Sequence, residues 1–459
     1  MKHFRHMACL SVCLIIFLCA SCSGASETQD AKTISSASAT NVTSEVISET
    51  TASDSVVQTE TAKHYSATYS VIVDAFDWGP ASVKAIIALP EPCRESDLCE
   101  FIVTETTPDG KTRDRTVTDV YLSDSDGIRV ADESSYFSIE MAVIPYEDGS
   151  VFKYDMVVLR NVYSDNYSLI IEPEAGSEGK LSSLSVDPSY SDMIIPDLEV
   201  WQTGSFSGED ISLNYALFEP EESDTPRPLI IWIHGMGEGG DDPTIALLGN
   251  RVTAFAEEEI QSAFSGAYVL VPQCPGYWPE ATQNDGSYGG DPDGTSAYTE
   301  PLMGLIEKIV SENEGIDPGR IYIGGCSMGG YMTLNMVFNY SDYFAAAFPV
   351  CAYYPDELIG ANQLSILSEI PIWYAYCTSD RTVPPAQNSE ATIARLKDMG
   401  VNVHVSTYEK VLDTTGLYTD SNGEPFEYYD HWVWLYVFNS ECKDGDLTLW
   451  EYLKSQSNG

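Results

Sequence analysis

Residues 320–331 read Arg-Ile-Tyr-Ile-Gly-Gly-Cys-Ser-Met-Gly-Gly-Tyr: a strand-like apolar run, a serine set between glycines, then a helical pattern that continues to Asn339. No other stretch limits the fold so tightly. A strand that turns at once into a helix needs a sharper bend than ordinary side chains allow. Gly325 and Gly329, two before and two after Ser327, permit that bend and let strand and helix pack closely, so that Ser327 Oγ stands clear above the sheet. The context predicts a nucleophilic serine. A glycine-rich turn without chemistry would use the same residues, so the assignment depends on partners elsewhere in the chain.

Strands and helices alternate around this turn. Apolar, β-prone runs at 211–218, 229–233, 267–271, 320–324, 345–350, 372–376 and 401–408 are joined in the later part by helical patterns at 301–312, 331–339 and 387–399. Right-handed crossovers then place helices on both faces of a mostly parallel, doubly wound α/β sheet, with the site at the carboxyl ends of the strands.

Elimination supplies the base. Of the 6 histidines, His3 and His6 lie in the N-terminal segment, His64 in a polar stretch, His234 in a glycine-rich loop and His404 in an alternating strand. His431, within Tyr428-Tyr429-Asp430-His431-Trp432 after the last strand, is the expected general base. Asp380 follows the strand at 372–376 and precedes His431, so it is the expected acid in a Ser, Asp, His order. Asp430 and Asp413 compete for that role, but neighbouring side chains on an extended segment point apart, which disfavours Asp430. The run at 229–233 leads into His234-Gly235-Met236-Gly237-Glu238-Gly239-Gly240, a turn able to aim N–H groups outward. The backbone N–H groups of Met236 and Met328 are the expected oxyanion donors, with His234 fixing the loop by hydrogen bonding.

The N-terminal half has a different character. Lys2 and Arg5 precede an apolar run at 7–20 and then Ser21-Cys22, the pattern of a secretory signal. That run is shorter than the roughly 20 apolar residues of a spanning helix. Residues 18–22 look like a bacterial lipobox, which makes Cys22 the lipidated first residue of a cell-surface lipoprotein (1–22 being the signal); plain secretion is the alternative. Residues 23–63 contain no aromatic residue and are rich in Ser, Thr, Ala and Glu, as in a disordered tether. Over 64–193, runs rich in Val, Ile, Tyr and Phe at 69–76, 83–89, 100–104, 116–122, 136–144, 154–162 and 167–171 predict an all-β, immunoglobulin-like sandwich. The remainder, 194–459, carries the alternating pattern. A chain of 459 residues is long enough for two cores, and 23 basic against 70 acidic residues, a net charge of -47, repels phosphate backbones. Nucleic acid is excluded as a partner.

Together these residues resemble the α/β-hydrolases, nearest to secreted bacterial esterases with an N-terminal immunoglobulin-like domain, akin to prolyl-oligopeptidase-like esterases. The resemblance is carried by residues 325–331, by the His234-Gly235-x-Gly237 loop, by Leu270-Val271-Pro272-Gln273-Cys274-Pro275, by Asp380 with Val383-Pro384, and by His431-Trp432. Cys326 and Tyr376-Cys377, where many relatives carry His-Gly, depart from it. The expected function is an exported serine carboxylesterase that cleaves a small-molecule or polysaccharide-linked ester through an acyl-enzyme. No cofactor or metal is expected, and the membrane is met only through the lipid anchor. One alternative is a prolyl-oligopeptidase-like serine peptidase, for which the region before the hydrolase is too short to form a β-propeller gate. The other, a non-catalytic surface-binding lipoprotein, requires a broken triad.

Two long polar loops, 277–298 and 412–429, are expected to shape the substrate site, with Tyr277, Trp278 and Tyr331 as substrate contacts. Their acids, Asp285, Asp291, Asp293, Asp413 and Asp420, lack calcium-loop spacing and read as solvated carboxylates. Of 11 cysteines, Cys9, Cys13, Cys19 and Cys22 belong to the export segment. Among the others Cys93 and Cys99 are close enough to bridge, whereas Cys326, Cys351 and Cys377 read as small buried hydrophobes.

Overall fold

The computed structural model describes residues 65–146, 149–279 and 292–458. The export segment, Cys22 and the tether lie outside them, as does most of the first long loop.

Alternate burial builds the N-terminal domain. In Phe101–Thr106 every second residue is buried, and the same period sends Tyr69, Val71, Val73, Ile87, Phe137, Ile139, Leu169 and Ile171 into one core. One sheet runs Tyr65–Phe76, Gly79–Cys93, Ser134–Met141, Val117–Ser123; a second runs Thr112–Arg115, Phe101–Thr106, Ser168–Pro173. Arg115 and Glu105, both fully buried, pair at 2.8 Å. Arg115 also donates to the carbonyls of Ser82 at 2.9 Å and Ala142 at 3.0 Å, which ties the second sheet to the first. Buried charges persist only when partnered in this way.

One expected strand is two. Residues 154–162 form a hairpin of Phe152–Asp155 and Arg160–Tyr163. Its tip, Met156-Val157-Val158, is exposed, Val157 to 89%. Asp155 Oδ1 accepts the N–H groups of Val157 and Val158 at 2.7 and 3.3 Å, and Leu159 takes a positive φ of 51°. Local turn chemistry therefore overrides the β propensity of three apolar residues. Cys93 and Cys99 are free thiols, so the expected bridge is absent.

The hydrolase domain is an eight-stranded sheet. We label its strands β1 (Trp201–Ser207), β2 (Ser212–Phe218), β3 (Arg227–Ile233), β4 (Tyr268–Gln273), β5 (Ile316–Cys326), β6 (Ala346–Val350), β7 (Trp373–Cys377) and β8 (His404–Tyr408). Their order in the sheet is β1-β2-β4-β3-β5-β6-β7-β8; β2 is antiparallel to its two neighbours, and every pairing from β4 onward is parallel. Burial on both faces explains why β3 is apolar from Pro228 onward: Ile230 and Trp232 enter one core, Leu229, Ile231 and Ile233 the other. Helices Thr299–Glu312, Met328–Tyr340, Ala361–Glu369 and Ser389–Asp398 cover the second face. Helices Pro243–Leu248, Glu258–Phe264, Trp434–Phe438 and Leu449–Lys454 cover the first. Between β4 and β5 the chain reverses its direction across the sheet, and such a switch opens a crevice at the carboxyl end of β3 and β5.

The sandwich packs closely on this domain. Ile245 and Leu248 of the first helix join the sandwich core. Trp78 meets Tyr418 and Tyr428, and Tyr146 meets Phe426, Tyr428 and Trp432. Tyr418, Phe426 and Tyr428 of the loop at 412–429 are thus spent on the sandwich, whereas the Tyr429 hydroxyl bonds to Thr382.

Candidate active site

The serine turn is built by contact. Ile233 of β3 pairs with Gly325 of β5, and the helix Met328–Tyr340 begins against the end of β3. A Cβ on Gly329 would lie 2.0 Å from the Ile233 carbonyl oxygen, and one on Gly325 2.5 Å from the same atom. Both motif glycines are therefore required by close backbone approach. Ser327 between them sits at φ 56°, ψ -115°, a conformation L-residues adopt only when their surroundings enforce it. Its N–H donates to Val350 O at 3.0 Å and its carbonyl accepts from Tyr353 N–H at 3.0 Å. Ser327 is half-buried, unlike Cys326 and Met328 on either side. Burial pushes the Cys326 and Cys351 thiols far up, so both stay protonated and act as small apolar side chains.

His431 and Asp380 meet. His431 Nδ1 lies 2.6 Å from Asp380 Oδ2, both side chains almost completely buried. Asp380 Oδ1 accepts the N–H groups of Thr382 and Val383, each at 2.9 Å, which fixes the carboxylate at the end of β7. The ring's Nε2 is buried and has no hydrogen-bond partner among the described residues. The rival acids are occupied elsewhere. Asp430 accepts from Arg381 Nε at 2.7 Å, while Asp413 accepts from Gly416 N–H and Thr415 Oγ1, each at 2.8 Å. His404 pairs with Asp444 at 2.8 Å at the sheet edge, a strand-face residue as its alternating run predicts.

The loop after β3 is held by its first residue. His234 Nε2 accepts the Cys274 N–H at 3.2 Å, so the proton sits on Nδ1, which donates to Gly235 O at 2.6 Å. In a planar trans peptide N–H and C=O point in opposite directions. Fixing the Gly235 carbonyl toward His234 therefore turns the Met236 N–H away from it. Complete burial lowers the His234 pKa to about 4, which keeps this tautomer neutral at ordinary pH. Met328, first residue of its helix, has an N–H with no acceptor within that helix.

The expected substrate contacts fare differently. Trp278 and Tyr331 are fully buried; Trp278 packs beside His234, and Tyr331 stacks on Tyr354 and donates to Thr295 O at 2.7 Å. Their surface is consumed by packing, a correction to the substrate-contact role. Tyr277 is half-buried and donates to Val158 O of the sandwich hairpin at 2.8 Å. That hairpin is what the sequence reading missed at the site. An added Cβ on Gly237 would lie 3.3 Å from Asn161 Nδ2 and 3.9 Å from Tyr154, and Arg160 donates to Pro275 O at 3.1 Å.

Comparison with known proteins agrees with this architecture. Residues 218–415 match the phospholipase/carboxylesterase family, and residues 68–191 match the esterase immunoglobulin-like N-terminal domain. Carboxylesterase SOBER1 of Arabidopsis thaliana is 25% identical over 227 residues, covering 45% of this chain and 90% of its own. The crystal structure of a thermostable esterase superposes with a TM-score of 0.64 at 24% identity, over 85% of this chain and 99% of that one. The chain thus carries a domain of the phospholipase/carboxylesterase family behind an esterase immunoglobulin-like domain, the arrangement of a serine hydrolase acting on carboxylic esters.

Proposed function

We propose that the protein is an exported carboxylesterase in which Ser327, His431 and Asp380 form a catalytic triad acting through an acyl-enzyme. The observation that carries this reading is the buried 2.6 Å contact of His431 Nδ1 with Asp380, with Nε2 left without a hydrogen-bond partner among the described residues. Ser327 Oγ attacks the ester carbonyl as His431 Nε2 takes its proton. The Met236 and Met328 N–H groups receive the negative charge of the tetrahedral intermediate, each such donor lowering the barrier by about 3 kcal/mol. Collapse breaks the bond to the alcohol, which leaves with the proton from His431. Water then attacks the acyl carbon with His431 again as base, and Ser327 regains its proton. Asp380 holds the imidazole in the tautomer with Nδ1–H and stabilises the imidazolium.

Export is inferred from Lys2, Arg5 and the apolar run at 7–20, and a lipid anchor from Cys22. The substrate is a small-molecule ester, or an acyl group carried on a polysaccharide. Turnover of p-nitrophenyl and feruloyl esters by the purified protein, lost in Ser327→Ala, tests the chemistry. Cleavage of proline-containing peptides without ester turnover would overturn it. Globomycin-sensitive processing, lost in Cys22→Ala, tests the anchor.

A further inference from the structure

Glu238 is the least explained charge near the site. It lies in the oxyanion loop only two residues beyond Met236, yet it is 5% exposed. Desolvation raises its pKa, and the opposing influences come from polar groups rather than cations: the backbones of Gly235 and Glu238 and the side chain of Asn250. The seat is tight. A Cβ on Gly235 would lie 3.2 Å from Glu238 Oε2, and one on Gly249 2.8 Å from its Cγ. The Glu238 carbonyl is held as well, accepting from Gln273 Nε2 at 2.9 Å. Burying a carboxylate without a cation is costly, and the close fit against Gly235 and Gly249 with the carbonyl held by Gln273 marks a built seat rather than a stray acid.

We propose that Glu238 is a positioning residue of the oxyanion loop, its carboxylate anchoring the Gly235 N–H so that the next peptide presents the Met236 N–H to the substrate. The inference rests on the oxyanion role proposed above. Gly235 is then gripped at both ends, its N–H by Glu238 and its carbonyl by His234. With φ and ψ held at -77° and -165°, the direction of the following N–H is set.

The grip depends on charge. Desolvation pushes the Glu238 pKa up to about 7, and a protonated carboxyl loses part of its capacity to accept hydrogen bonds. The groups facing it do not titrate in that range. The Cys326 thiol of β5 is pushed far up by burial and by Glu238; Tyr154 of the sandwich hairpin is pushed up to about 12, with Glu238 contributing; His234 is lowered to about 4, with Arg160 contributing. The competent loop is therefore lost as pH falls through about 7.

Glu238→Gln tests this, because the amide keeps the size but turns donors toward donors. The expected result with a p-nitrophenyl ester at pH 8 is a kcat about tenfold lower, with KM changed less than about twofold. Affinity for a trifluoromethyl ketone, which binds as a tetrahedral oxyanion, should fall by the same factor as kcat. The acid limb of kcat/KM against pH should lose one ionisation. Parental kcat with an unchanged limb would overturn the proposal. Asn250→Ala, which removes one donor and leaves the carboxylate, should move the acid limb upward by about half a pH unit or more; an unmoved limb would overturn the proposal even if Glu238→Gln does not fold. Absence of ester turnover in the parent, or turnover retained in Ser327→Ala, would instead remove the proposed function itself.

Discussion

The proposed reacting groups and the loops around them are held by different parts of the molecule. Ser327 and Asp380 stand at the ends of β5 and β7, fixed by backbone contacts within the hydrolase domain. The loop proposed to hold the oxyanion and the His431 segment are also touched from outside, by residues of the sandwich. Asn161 and Tyr154 lie against Gly237, while Tyr146 packs on Trp432 and accepts the Tyr429 N–H through its hydroxyl at 3.2 Å. The contrast teaches that the chemistry should survive changes in the sandwich that its rate does not.

The largest effect belongs to the inner region. Asp380→Asn should lower kcat by about 10²- to 10⁴-fold with KM little changed, because the amide no longer holds the productive tautomer. Asp430→Asn and Asp413→Asn should cost far less, their carboxylates being tied to Arg381 and to the loop at 415–416. Steady-state kinetics of the three variants breaks the assignment if either of the latter matches the loss in Asp380→Asn.

A pH test sharpens the part played by the oxyanion loop. His234 has a folded pKa of about 4 against 6.5, so the unfolded chain binds the extra proton. Its contribution is present above 6.5 and lost as pH falls toward 4, amounting to about 3 kcal/mol. Glu238 acts oppositely: its folded pKa of about 7 against 4.5 stabilises below 4.5 and is lost as pH rises through 7. The two overlap, so the readout is a difference. Between pH 6.5 and 4 the gap in unfolding free energy between the parent and His234→Asn should narrow by up to about 3 kcal/mol in urea titrations. A constant gap would show that His234 does not titrate as its burial requires.

Smaller effects follow at the domain contact. A fragment beginning at Asp197 should keep its chemistry with kcat/KM lower by about tenfold, and should melt earlier because Ile245 and Leu248 lose their cover. Complete loss of turnover in a folded fragment would place the sandwich within the reacting centre. Tyr146→Ala removes an aromatic contact and one hydrogen bond to the His431 segment, so kcat/KM should fall about fivefold. A loss as large as that of Asp380→Asn would erase the distinction between the two regions.

What could be read from sequence divides along the same line. Gly325, Ser327 and Gly329 state their geometry locally, because close approach and a strained φ admit few residue types. Asp380 and His431 were reachable through chain order and strand ends, and side-chain direction alone set Asp430 aside. The hairpin at 152–163 was not legible: Met156, Val157 and Val158 carry the composition of a strand, and only the turn bonds of Asp155 end it. Nor did Trp278 and Tyr331 announce that packing would consume them, since burial depends on distant partners. Glu238 offered one weak signal, an acidic residue within a glycine-rich turn after the apolar run at 229–233.

The central claim is that Ser327 carries the acyl group, and mass spectrometry of protein quenched during turnover of a slowly deacylating ester tests it most directly. One acyl group per chain is predicted, on the peptide containing Ser327 and absent from Ser327→Ala. Turnover without an adduct on that peptide, or an adduct that persists in Ser327→Ala, would contradict the account.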